Sequence, residues 1–197
     1  MGGNATFLNV SKGKLVNKKK GLEYDAYYGY FKGIRLKPDS YKGEPKTQVQ
    51  VRMMDEKKQE NVIVCFNLES WFCIGFFQRI EKIDLAEPFL LGVFTSDKIP
   101  EGASEPSTVP FCYMKQGPNL KSESAKIVKR EDFPRPEKVN IGKGKTASNY
   151  DKVEVEVKNV MNRLAERMGI KVEEIDERAQ PPQHEGPPPH TDTDLPF

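Results

Sequence analysis

The chain has 197 residues, 37% hydrophobic and 30% charged, with a formal net charge of +2. That length holds one domain of ordinary size plus a tail. No apolar run approaches the roughly 20 residues of a membrane span, and the N-terminus lacks a secretory pattern, so a cytoplasmic, membrane-free protein is expected.

Phe7 to Val16 reads as a first strand or hairpin turning at Ser11-Lys12-Gly13. Tyr24 to Lys37 alternates, which predicts a half-buried strand. Strict alternation puts Tyr24, Ala26, Tyr28, Tyr30, Ile34 and Leu36 on the inner face and Tyr27, Phe31, Arg35 and Lys37 on the outer one. Pro38 to Pro45 reads as a turn-rich loop. Thr47 to Met53 is a strand with Val49, Val51 and Met53 inward and Arg52 outward, and Asp55 to Asn61 is a polar hairpin loop. Val62 to Leu68 is an almost wholly apolar strand.

Ser70 suits the N-cap of a helix from Trp71 to about Ile80, because its hydroxyl can accept from an orphan amide of the first turn. Phe72, Phe76, Ile80 and Ile83 would form the buried stripe of that helix, with Trp71 packed in the interior as well. Phe89 to Thr95 and Phe111 to Lys115 are strands separated by a Pro-, Glu- and Ser-rich loop. Gly142 to Ala147 reads as a flexible basic connector. From Asn149 or Asp151 to Met168, Val153, Val157, Val160, Met161, Leu164 and Met168 form a helical stripe that Gly169 can cap. The last 19 residues hold six prolines and only two large apolar side chains. They are too poor in apolar surface to pack, and disorder is expected.

The expected fold class is mainly β. It is a five-stranded OB-type barrel with a short helix between strands three and four, followed by a C-terminal helix and a disordered tail. The corresponding domains are 1–147 for the nucleic-acid-binding barrel, 148–178 for an accessory helical segment and 179–197 for the linker and tip.

Charge is segregated along the chain. Residues 1–60 carry 13 Lys+Arg against 7 Asp+Glu, residues 61–147 carry 12 against 11, and residues 148–197 carry 6 against 11. A basic front and an acidic back suit a polyanion-binding domain joined to an interaction tail. Cys65, Cys73 and Cys112 form no Cys-x-x-Cys pair and read as buried thiols, and His184 and His190 lie far from them in sequence, so neither metal nor cofactor is expected. Gly142-Lys143-Gly144-Lys145-Thr146 resembles a phosphate-binding loop, but Val139 stands where that motif needs its first glycine. No nucleophile elbow or paired-histidine motif is present, and no catalytic residue is assigned.

The outward set Tyr27, Phe31, Arg35 and Lys37, with Arg52 beside it, combines the two chemistries that single-stranded nucleic acid requires. Flat rings stack on unpaired bases and cations follow the phosphates. Lys12, Lys14, Tyr113 and Lys115 extend this candidate DNA-binding set to the neighbouring strands.

The final residues Asp192, Thr193, Asp194, Leu195, Pro196 and Phe197 place an apolar ring and a carboxylate behind acidic side chains, which suits a partner pocket lined by basic groups. This tip resembles the bacterial single-stranded DNA-binding protein family, whose members end in an acidic run followed by Ile-Pro-Phe. Leu195 replaces the isoleucine, Thr193 interrupts the acids, and the linker is Pro-rich, so the resemblance is to a divergent or bacteriophage-type member. The resemblance implies an OB fold and sequence-independent binding of single-stranded DNA in the cytoplasm of a bacterium or an infected host cell. It also implies that Asp192, Asp194, Leu195, Pro196 and Phe197 dock replication, recombination or repair proteins. An RNA-binding OB protein and a protein-binding adaptor are the alternatives, and the sequence leaves self-association open.

Overall fold

A computed structural model describes residues 5–41, 43–55, 60–96, 108–117, 126–127, 132–142 and 145–172. The chain starts with a hairpin, β1 (Thr6–Ser11) and β2 (Lys14–Asn17). Its turn residues Lys12 and Gly13 have φ of 45° and 77°. Two successive positive φ values give the turn a twist that matches the flanking strands, and glycine supplies the second without steric cost. The turn lies against Thr95 so closely that a Cβ on Gly13 would stand 2.9 Å from its Cγ2.

There follow β3 (Leu22–Tyr24), β4 (Ala26–Tyr41), β5 (Glu44–Asp55), β6 (Glu60–Asn67), α1 (Trp71–Ile80), β7 (Phe89–Thr95) and β8 (Pro110–Gln116). The chain continues through β9 (Lys126–Ile127), the hairpin β10 (Glu137–Gly142) and β11 (Lys145–Asn149), and α2 (Asp151–Arg167). The fold is mainly β. Among the described residues its principal sheet has nine strands, where the sequence suggested five, in the order β3-β2-β1-β6-β5-β4-β7-β8-β9.

The sheet curls about β4. This 16-residue strand pairs with β7 through Ala26–Gly29 and with β5 through Tyr30–Tyr41. Between its two halves Phe31 stands opposite Met53 and Gly33 opposite Arg52, so Lys32 is an extra, bulged residue. A bulge bends its strand and increases the local twist.

The concave side of the curl holds the core. Phe31, Ile34, Val49, Val51, Met53, Val64, Phe89, Leu91 and Met114 are buried there, and α1 adds Phe72, Phe76, Phe77 and Ile80. Ser70 caps α1 as the sequence suggested, its Oγ accepting from Cys73 N at 3.1 Å. Helix α2 buries Val153, Val157, Val160, Met161 and Leu164 in the same core, so it shares the apolar interior of the sheet. Arg163 forks onto Glu81 at 2.6 and 2.9 Å, and Arg167 donates to the carbonyls of Glu81 and Ile83. These bonds pin α2 over the segment that follows α1.

Three sequence expectations change. Pro38 to Pro45 is not mainly loop, because β4 runs on to Tyr41 and β5 begins at Glu44. Of the supposed connector at Gly142 to Ala147, Gly142 and Lys145 to Ala147 are strand residues of β10 and β11, whose described side chains are exposed, and residues 143–144 lie outside the described residues. Trp71 is not interior packing: it starts α1 on the solvent side and is 41% exposed.

Candidate nucleic-acid interface

The bulge at Lys32 decides which side chains share the convex, solvent-facing side of the sheet. Residues alternate across a strand, and one extra residue reverses the parity of everything beyond it. Before the bulge, Tyr27 is level with Leu91 and Tyr28 with Leu90. Leu91 is fully buried, so Tyr27 turns inward and Tyr28 outward, where it is 44% exposed. After the bulge, Ile34 is inward and Arg35 and Lys37 are outward.

The predicted set is therefore divided. Arg35, Lys37 and Arg52 lie on the outer face as expected. Phe31 does not: it is 3% exposed and packs in the core. Tyr27 is half-buried against that core and its hydroxyl has no hydrogen-bond partner. Burial pushes the Tyr27 phenol up to about 12. The rings that accompany Arg35 and Lys37 are Tyr28 and Tyr30. Gly29 and Gly33 carried the missed signal, since glycine inside a strand often marks a bulge.

The face continues over β7 and β8. Tyr113 and Lys115 both point outward, Lys115 in one cross-strand row with Leu90 and Tyr28. Gly92 makes room for the Tyr113 ring, which a Cβ at that position would meet at 2.0 Å. Phe94 packs against Phe111 and Tyr113 with centroid separations of 5.6 and 6.2 Å, yet Phe94 is 40% exposed. Tyr113 is level with Ala26 and Phe94 and Phe111 lie beyond it, so these rings continue the face at the end of β4 remote from Arg35 and Lys37.

Neighbouring amides fix the cations of those rows. Arg35 donates from Nε and Nη2 to Gln50 Oε1 at 2.8 and 2.6 Å, and Gln50 Nε2 donates to Gln48 Oε1 at 2.6 Å. Arg52 holds Asn61 Oδ1 in the same forked way, at 3.0 and 2.8 Å, and its partial burial lowers the guanidinium's proton affinity. Both guanidiniums are oriented before any ligand arrives, and the amide oxygens of Gln50 and Asn61 that accept from them carry no charge of their own.

Lys14 differs. Its Nζ is 2.5 Å from Asp25 Oδ1, and that hydrogen bond raises its pKa, so its charge is already matched. Lys12, at the exposed turn against Thr95, stands at the β7 end of the molecule. Residues 192–197 and Lys143 lie outside the described residues.

No family model, curated protein or solved structure matches this chain. Its chemistry must be read from the face itself. Among the described residues, no helix is long and apolar enough to cross a membrane, and no three His, Cys, Asp or Glu side chains cluster as metal ligands would.

Proposed function

We propose that this protein binds single-stranded DNA along the convex face of its curled sheet, without catalysis, and recruits partner proteins through Asp192 to Phe197. One observation carries the reading: Tyr28 and Tyr30 share a sheet face with Arg35 and Lys37, and Tyr113, Phe94 and Phe111 continue that face at the other end of β4. Exposed rings beside oriented cations suit unpaired bases and their phosphates, whereas the stacked interior of a duplex offers such rings nothing.

The strand arrangement supports an OB reading. Strands β6, β5, β4, β7 and β8 are consecutive neighbours, with α1 between β6 and β7. An OB barrel has the same succession, with its first strand shared by two halves and its helix after the third. On this reading β4 is the shared strand, and the β1–β2–β3 extension is an addition at the edge of β6. The tip resembles that of bacterial single-stranded DNA-binding proteins and supplies the recruiting half of the proposal.

Fluorescence anisotropy with labelled oligonucleotides, competed in turn by single-stranded DNA, RNA and duplex, tests the reading. Single-stranded DNA should compete best. Equal competition by duplex, or absence of binding, would refute it.

A further inference from the structure

At one end of the same face, between β1, β5 and β6, lies a groove of about 460 Å³ lined by Asn9, Lys18, Asp39, Lys46, Gln48 and Asn67, among others. Its floor follows the cross-strand row Lys37, Gln48 and Asn67. The orientation of the amides there follows from their hydrogen bonds. Arg35 has only protons to give, so Gln50 must present its oxygen to it and its amino group to Gln48. Gln48 receives that amino group on its own oxygen, which leaves its amino group to face onward. Gln50 is only 2% exposed, so the relay is shielded from competing water. Asn67 likewise commits its oxygen to Glu69 N, at 3.3 Å.

Both carboxamides thus keep their N–H groups unused among the described residues, with Lys18 in the groove lining and Lys37 next to Gln48 in the cross-strand row. The wall adds Lys46, which is paired with Glu69 at 3.1 Å. Asp39 stands opposite Lys46 across the β4–β5 pairing and accepts from Ser40 N at 2.9 Å. The floor is rich in donors; Glu69 is paired with Lys46, and Asp39, part of the lining, keeps its charge while accepting from Ser40 N, so Lys18, Lys37 and Lys46 outnumber the two carboxylates. Such a floor suits a group that only accepts and carries negative charge.

We infer that this groove is a seat for one phosphodiester group of the bound strand, held by the amino groups of Gln48 and Asn67 and by Lys37 and Lys18, with Gln50 as the positioning residue that turns Gln48 toward it. The inference rests on the proposed single-strand binding and adds to it a fixed backbone contact that stacking alone would not require.

The test uses Gln48→Met, which keeps length and neutrality but removes the donor, and Lys18→Ala. Affinity for oligothymidine and for an oligonucleotide of abasic sites is measured at several salt concentrations, with melting temperatures as controls. Gln48→Met is expected to weaken both ligands by three- to tenfold, because the abasic strand keeps its phosphates. Lys18→Ala is expected to reduce the log–log salt slope by about 0.7, the value for one lost phosphate contact on a single strand. A Gln48→Met penalty confined to oligothymidine means that the groove holds a base, and overturns the seat. Full affinity in Gln48→Met, or an unchanged slope in Lys18→Ala, also overturns it while leaving single-strand binding standing. Failure of the unaltered protein to bind either oligonucleotide sinks both readings together.

Discussion

Two adjacent tyrosines separate the roles of core and surface. Tyr28→Ala should weaken single-strand binding by about 1–3 kcal/mol, the usual loss of one stacked base, at unchanged melting temperature. Phe31→Ala should instead cost about 3–5 kcal/mol of stability, because it empties a buried ring site. Tyr27→Phe should be neutral or stabilise the fold by about 1 kcal/mol, since it removes a buried hydroxyl that has no partner. Thermal melts and oligonucleotide titrations of the three variants check this set. If Phe31→Ala melts normally and loses binding, the face assignment is reversed.

The thiols give a pH prediction at the same scale. Burial pushes Cys65 from its ordinary 9.0 up to about 12 and also raises Cys73 well above its ordinary value. The folded state therefore retains protons that the unfolded state releases above pH 9. Their contribution to stability is fully present below about pH 9 and is lost as pH rises toward 12. Urea midpoints measured across that interval should fall, and Cys65→Ala should flatten the decline. A midpoint that stays level from pH 9 to 11 would contradict the burial of these thiols.

Among the elements, β4 and α1 do the positioning. β4 serves both halves of the curl, and its bulge sets the outward side chains of each half. α1 closes the concave side with Phe72, Phe76 and Phe77, and its entry depends on Ser70. Ser70→Ala should cost about 1 kcal/mol, because the Cys73 amide loses its acceptor. Chemical denaturation of the variant beside the unaltered protein checks this.

For the whole molecule, the proposed function makes affinity depend strongly on salt, because each neutralised phosphate releases counterions. The log–log slope should be shallower than a count of lysines suggests, since Lys14 and Lys46 already face Asp25 and Glu69. Deleting Asp192 to Phe197 should leave single-strand affinity unchanged or slightly higher, because two carboxylates that compete with phosphate are removed. The same deletion should abolish capture of replication or repair proteins in pull-downs from a bacterial lysate. A truncated protein that loses DNA but keeps its partners would assign the two jobs the other way round.

The sequence by itself determined most of the elements. The limits of α1 and β7 follow from a serine cap, a helical stripe of phenylalanines and an alternating run, all of which are local signals. The α2 stripe and its Gly169 cap, at φ 65°, were legible for the same reason. It also showed that an aromatic and cationic face exists, because Arg35 and Lys37 alternate with Ile34 and Leu36. Which rings join that face was a tertiary decision. Alternation predicts sides only while every residue is paired, and β4 leaves Lys32 unpaired so that one strand can serve both β5 and β7. The amide relay Arg35–Gln50–Gln48 was likewise invisible, because its donors and acceptors meet only across the register of two strands.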